Sequence, residues 1–116
     1  MEFTTRPVVM GTNGMVTSSH YLATEVGHHA LKRGGNVVDA AVSMWFTLTL
    51  TKPDLVGIAG EVPVLLYLSD EEKILAINGS GPAPGKATVE WFRDHGYDLI
   101  PEDGFTPAVV PGAFDA

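Results

Sequence analysis

Histidines, carboxylates, hydroxyls and glycine pairs are the groups in this 116-residue sequence whose chemistry and spacing could build a site. His20, His28 and His29 suggest a metal centre, and Glu25 precedes His29 by four residues, on the same face of a helix. Two groups do not fix a zinc ion, which takes about four ligands. Glu25 and His29 are therefore read as a solvated pair, and no metal is expected. Asp70, Glu71 and Glu72 lie between two apolar runs and read as a solvated turn rather than an acid–base cluster. Thr4, Thr5, Thr12, Thr17, Ser18, Ser19, Ser43, Ser80 and Thr88 supply hydroxyls. None stands in a G-x-S-x-G elbow or an S-x-x-K arrangement, so no catalytic nucleophile is expected in this chain. Gly34 and Gly35 open the stretch "GGNVVDAAVS", but they follow a helical pattern, whereas a dinucleotide fingerprint follows a strand. "GIAGEV", from Gly57 to Val62, precedes a strand and offers no helix N-terminus to a phosphate; it reads as close backbone packing. No cofactor is expected.

The elements that would position these groups follow from periodicity. Val8 to Met10 and Met15 to Thr17 are β-type runs parted by Gly-Thr-Asn-Gly, the signal of a hairpin. Ser18 or Ser19 is expected to cap a helix from about His20 to Lys32, on which Leu22, Val26 and Ala30 recur at helical spacing. Lys32 and Arg33 suit a helix C-terminus, and Gly34 suits the left-handed residue that ends it. Asn36 then caps a second helix, with Asp39 in the place of a capping-box acid. That helix is apolar almost all round, through Met44, Trp45, Phe46, Leu48 and Leu50, so it is expected to be central; Pro53 stops it. "PVLLYLS" and "DEEKILAING" read as two strands joined at Asp70 to Glu72, "NGSGPAPG" as a loop, and Lys86 to His95 as a short helix before an irregular tail.

Composition narrows the class. At 45% hydrophobic the chain can build a core, and a helix, helix, hairpin, helix order is α+β. Seven Lys and Arg against fourteen Asp and Glu give a net charge of −7 with no basic run, which disfavours nucleic acid and anionic membrane as partners. The absence of cysteine removes disulfides and thiolate sites together. No apolar segment reaches the ~20 residues needed to cross a bilayer. The first residues show no secretory pattern, so a cytoplasmic location is the expectation. One hairpin and two other helices give little cover for the second helix, which suggests that the chain is part of something larger.

The order of these features resembles the start of the gamma-glutamyltranspeptidase family, over about Arg6 to Pro111. That family reads L-x-x-G-G-N-A-x-D-A-A after a helix, then P-x-x-S-G-I-G-G, a strand, and a loop ending in A-P. Leu31, Gly34, Gly35, Asn36, Asp39, Ala40, Ala41, Pro53, Gly57, Gly60, Ala83 and Pro84 fill those places in order. The resemblance implies an N-terminal nucleophile (Ntn) hydrolase, a four-layer αββα sandwich made as a precursor that cleaves itself into large and small subunits. The nucleophile would be a threonine freed at the start of the small subunit, beyond this chain, with its own amine as base. Residues 1–116 would then be one partial domain, the N-terminal fragment of the large subunit. Its partners would be the remainder of that subunit, the small subunit and a small-molecule amide.

The same resemblance picks out Ser80 as the candidate substrate contact. Typical members carry, before A-P, an arginine that pairs with the α-carboxylate of the gamma-glutamyl group; here Ser80 takes that place and Gly81 that of the following acid. A serine cannot form the bidentate pair. The "NGSG" loop resembles instead the branch with acylase-type and amidohydrolase-type relatives, and a non-catalytic binding or assembly piece is the remaining alternative. Ala59, Glu61 and Pro63 also depart from the family pattern near the strand.

Overall fold

A computed structural model describes residues 7–116. Its elements are α1 (Tyr21–Lys32), α2 (Val37–Thr51), β1 (Pro63–Leu68), β2 (Lys73–Asn78) and α3 (Val89–Asp94). The chain divides into two compact units between Gly57 and Ile58.

In the first unit α1 and α2 pack through small residues. Ala23 and Ala40 are buried, and Gly27 lies so close to α2 that a Cβ there would come 2.6 Å from Met44 Cγ and 3.4 Å from the Ala40 carbonyl. The joint between the helices is built as the sequence suggests. Gly34 has φ +88°, and the Gly34 and Gly35 N–H groups donate to the Leu31 and Ala30 carbonyls, each at 3.0 Å. Asn36 Oδ1 accepts from the Val38 and Asp39 amides, while Asp39 Oδ2 accepts from the Asn36 amide at 2.8 Å, which completes the capping box.

The start of α1 differs from expectation. His20, not Ser18 or Ser19, is the N-cap, its Nδ1 accepting from the Leu22 amide at 3.3 Å. Ser18 Oγ donates instead to the His20 carbonyl at 2.8 Å and lies 2.7 Å from Thr24 Oγ1, so it holds the capping residue in place. The hairpin expected over Val8–Thr17 is also absent: Thr12 and Asn13 form a bend, with no strand on either side. Runs of three residues close too few ladder bonds to offset the ordering of the backbone.

α2 stops at Thr51, with Pro53, which lacks an N–H, just beyond. Only Ala40 of this helix is buried. Val42, Phe46 and Leu50 are exposed, so the helix expected to be central is covered on one side only. Its hydroxyls turn inward to the backbone: Ser43, Thr47, Thr49 and Thr51 donate to the carbonyls of Asp39, Ser43, Phe46 and Thr47 at 2.6–2.9 Å.

The second unit is organised by the β1–β2 hairpin, antiparallel, with Pro63 opposite Asn78 and Leu68 opposite Lys73. Side chains alternate along β1: Val64, Leu66 and Leu68 are half-buried, while Leu65 and Tyr67 face outward. The turn runs through Asp70–Glu72, as its composition suggests, with Glu72 left-handed at φ 50°. Lys73 pairs with Glu71 at 2.8 Å in full view of solvent, where such pairs add little. α3 starts later than its apolar spacing suggests, at Val89. Thr88 caps it by accepting from the Trp91 amide, and Phe92 is its buried residue. The tail after α3 forms only turns and bends. No helix among the described residues is long and apolar enough to cross a membrane.

Candidate functional site

The Asn78–Gly81 loop leaves β2 at the end of the hairpin remote from the acidic turn. Pairing continues one step past the strands: the Val62 amide donates to the Gly79 carbonyl at 3.3 Å and the Gly79 amide to Val62 at 3.1 Å. The Ser80 amide then donates to its neighbour's side chain, Asn78 Oδ1, at 3.1 Å, an Asx turn that takes the chain out of the ladder.

The following glycines are required by contact. A Cβ on Gly79 would collide with the Val62 carbonyl, and one on Gly81 with the Val110 carbonyl. From the other side, a Cβ on Gly112 would lie 2.6 Å from the Gly81 nitrogen and 2.7 Å from the Gly79 carbonyl oxygen. The Val110–Ala113 segment is bonded in place: the Val110 amide donates to Pro82 at 2.9 Å, and those of Gly112 and Ala113 donate to the Gly60 carbonyl at 3.2 and 3.0 Å. Within "GIAGEV", the Gly60 carbonyl is thus the acceptor that ties the tail to this unit. Backbone on two sides fixes the loop, while Ser80 itself stays half-buried.

Opposite Ser80 is Glu61. The register that pairs Pro63 with Asn78 and Val62 with Gly79 brings Glu61 level with Ser80, and Ser80 Oγ lies 3.5 Å from Glu61 Oε2. In the sequence, Ser80 stands out by its place in the family pattern, and Glu61 only as a departure from it. The turn at Asp70–Glu72 was the signal that could have joined them, since it fixes the hairpin register. Nothing comparable in the sequence pointed to Gly112, whose approach depends on an irregular tail.

The other chemistry-bearing residues do not converge. His20, Glu25 and His28 line an open cleft between residues 9–20 and α1, but His29 does not. Among the described residues no three His, Asp or Glu side chains gather as a metal site would require. The α2 hydroxyls and those of Ser18 and Thr24 are occupied by backbone or by each other, with no base beside them. Thr4 and Thr5 lie outside the described residues.

A mixed helix and strand chain carrying these motifs in this order defines a class, and comparison with known proteins identifies it. The family model described as gamma-glutamyltranspeptidase matches residues 23–116. The glutathione hydrolase proenzyme of Bacillus subtilis subsp. natto is 38% identical over 92% of this chain and 18% of its own length. The acylase ACY 1 proenzyme of Pseudomonas sp. (strain SE83) is 42% identical over 72% of this chain and 15% of its own. Among solved structures, that of Helicobacter pylori gamma-glutamyltranspeptidase superposes with a TM-score of 0.77 at 34% identity, covering 92% of this chain and 31% of that one. The chain belongs to the gamma-glutamyltranspeptidase family. It spans less than a fifth of the length of these curated relatives.

Proposed function

We propose that residues 1–116 form the N-terminal part of the large subunit of a self-processing amide hydrolase or acyltransferase, completed by the rest of that subunit and by a small subunit. In this reading the whole is a four-layer αββα sandwich. A threonine at the start of the small subunit attacks a small-molecule amide, forms an acyl-enzyme and passes the acyl group to water or an amine. This chain contributes no catalytic residue. It contributes the Asn78–Gly81 loop, with Ser80 in contact with the acyl group.

The observation that carries this reading is the loop itself: backbone fixed on two sides, with the polar side chains of Asn78 and Ser80 left accessible. The likeness to proenzymes named glutathione hydrolase and acylase supports amide chemistry on either kind of acyl group. Ser80 favours the second kind, because a single hydroxyl cannot replace the two parallel bonds of a guanidinium on a carboxylate.

The test is turnover by the full-length protein of gamma-glutamyl p-nitroanilide beside butyryl p-nitroanilide. Hydrolysis of both is expected, with kcat/KM values within about tenfold, since no charged fork on this loop favours the former. A preference for gamma-glutamyl above about a hundredfold would refute the assignment of Ser80. A full-length chain that neither cleaves itself nor hydrolyses either anilide would sink the enzyme reading and leave a binding or assembly role.

A further inference from the structure

We infer that Glu61 is a specificity residue: with Ser80 it forms an anionic, acceptor-rich wall that admits an acyl group bearing an ammonium or other N–H donor and rejects one bearing a carboxylate. The inference rests on the proposed role of the loop and goes beyond it, since Glu61 belongs to the other side of the hairpin, nineteen residues away.

The placement follows from the ladder. Val62 and Gly79 exchange both of their backbone bonds and end the pairing, so Glu61 and Ser80 are the residues that leave it on either side. Their side chains stay near each other there, with Ser80 Oγ facing Glu61 Oε2. The hydroxyl to carboxylate distance of 3.5 Å is long for an O–H···O bond, whose usual length is about 2.7 Å. The two groups therefore face one shared space without saturating each other.

Glu61 is exposed, and among the described residues its carboxylate forms no ion pair, the pair formed being Lys73–Glu71. The Ser80 hydroxyl directs its proton towards Glu61 and keeps its lone pairs to offer. The charged group at this point is the Glu61 carboxylate, which only accepts, while the Asn78 side-chain oxygen is taken by the Ser80 amide. A ligand group meeting them is favoured if it donates, more so if it is cationic, and opposed if it is an anion.

The experiment uses the full-length self-processed protein and p-nitroanilides derived from the gamma-glutamyl group by deletion. 4-Aminobutyryl keeps the ammonium, glutaryl keeps the carboxylate, and butyryl keeps neither. Relative to butyryl, kcat/KM is expected to be about tenfold higher for 4-aminobutyryl and about tenfold lower for glutaryl, a spread that narrows as salt is raised. In Glu61→Gln the ratio of 4-aminobutyryl to glutaryl should fall by at least about tenfold, and in Glu61→Lys it should invert. The readout is a ratio on one preparation, so partial loss of active enzyme cancels, and the wild-type panel is informative even if a variant does not fold.

If Ser80→Ala shifts the ratios while Glu61→Gln does not, the inference is overturned and the loop's contact with substrate stands. If neither variant shifts them, both fall. Indifference of the wild-type enzyme to ligand charge would overturn the inference alone. Failure to turn over any donor would remove the proposed function and the inference with it.

Discussion

Gly81 meets the tightest constraint in the second unit, since any side chain there is driven into the backbone of Val110, not into a flexible group that could yield. Gly81→Ala in the full-length protein is expected to lower stability by about 1–3 kcal/mol, the range of overpacked sites, read as a fall in the denaturant midpoint. Gly85→Ala is the matched control. A Cβ at Gly85 meets nothing within 4 Å, and its effect should stay within about 0.5 kcal/mol. Equal effects at the two positions would refute the clamp. Ser80 could be named from the sequence, because a family pattern marks its place; Glu61 could not, because its relevance depends on which residue faces it across the ladder. Gly112 was still less accessible, as its partner backbone is more than thirty residues distant and no periodic signal lies between.

The helices owe their limits to caps, and those of α1 and α2 are legible in the sequence to within a residue or so, whereas α3 starts three residues later than expected. Asn36→Ala and Asp39→Ala should each cost about 1 kcal/mol, and the double variant less than the sum, because the residues bond reciprocally. Full additivity in thermal or denaturant unfolding would show that the box does not act as a unit. The β1–β2 hairpin is equally legible, as two apolar runs with an acidic turn between. Residues 8–17 carried a turn signal of the same kind, but their flanking runs are too short to hold a ladder. The cap of α1 departs from expectation for a different reason. A serine was present, but its oxygen serves the His20 carbonyl and Thr24, which leaves the imidazole nitrogen to meet the free amide.

Across the whole chain, the buried hydrophobic residues are Ala23, Ala40, Phe92 and Ala113 among those described, while Leu50, Leu65, Ile74 and Phe105 are each more than 70% exposed. Fully burying one large apolar side chain is worth about 1.5–3 kcal/mol, so little of the available driving force is realised within these residues. Residues 1–116 expressed alone are expected to bind hydrophobic dye, quench Trp45 fluorescence readily with acrylamide and unfold without a sharp transition. A monomeric, cooperative transition would contradict this. That much uncovered apolar surface would ordinarily make α2 awkward to keep in water and, with its hydroxyls, awkward to take out of it. The bonds from Ser43, Thr47, Thr49 and Thr51 to the helix's own carbonyls remove the second difficulty. In the proposed assembly each hydroxyl would arrive at a dry interface already partnered, yet could rotate towards water beforehand, so docking of the helix would strand no polar group.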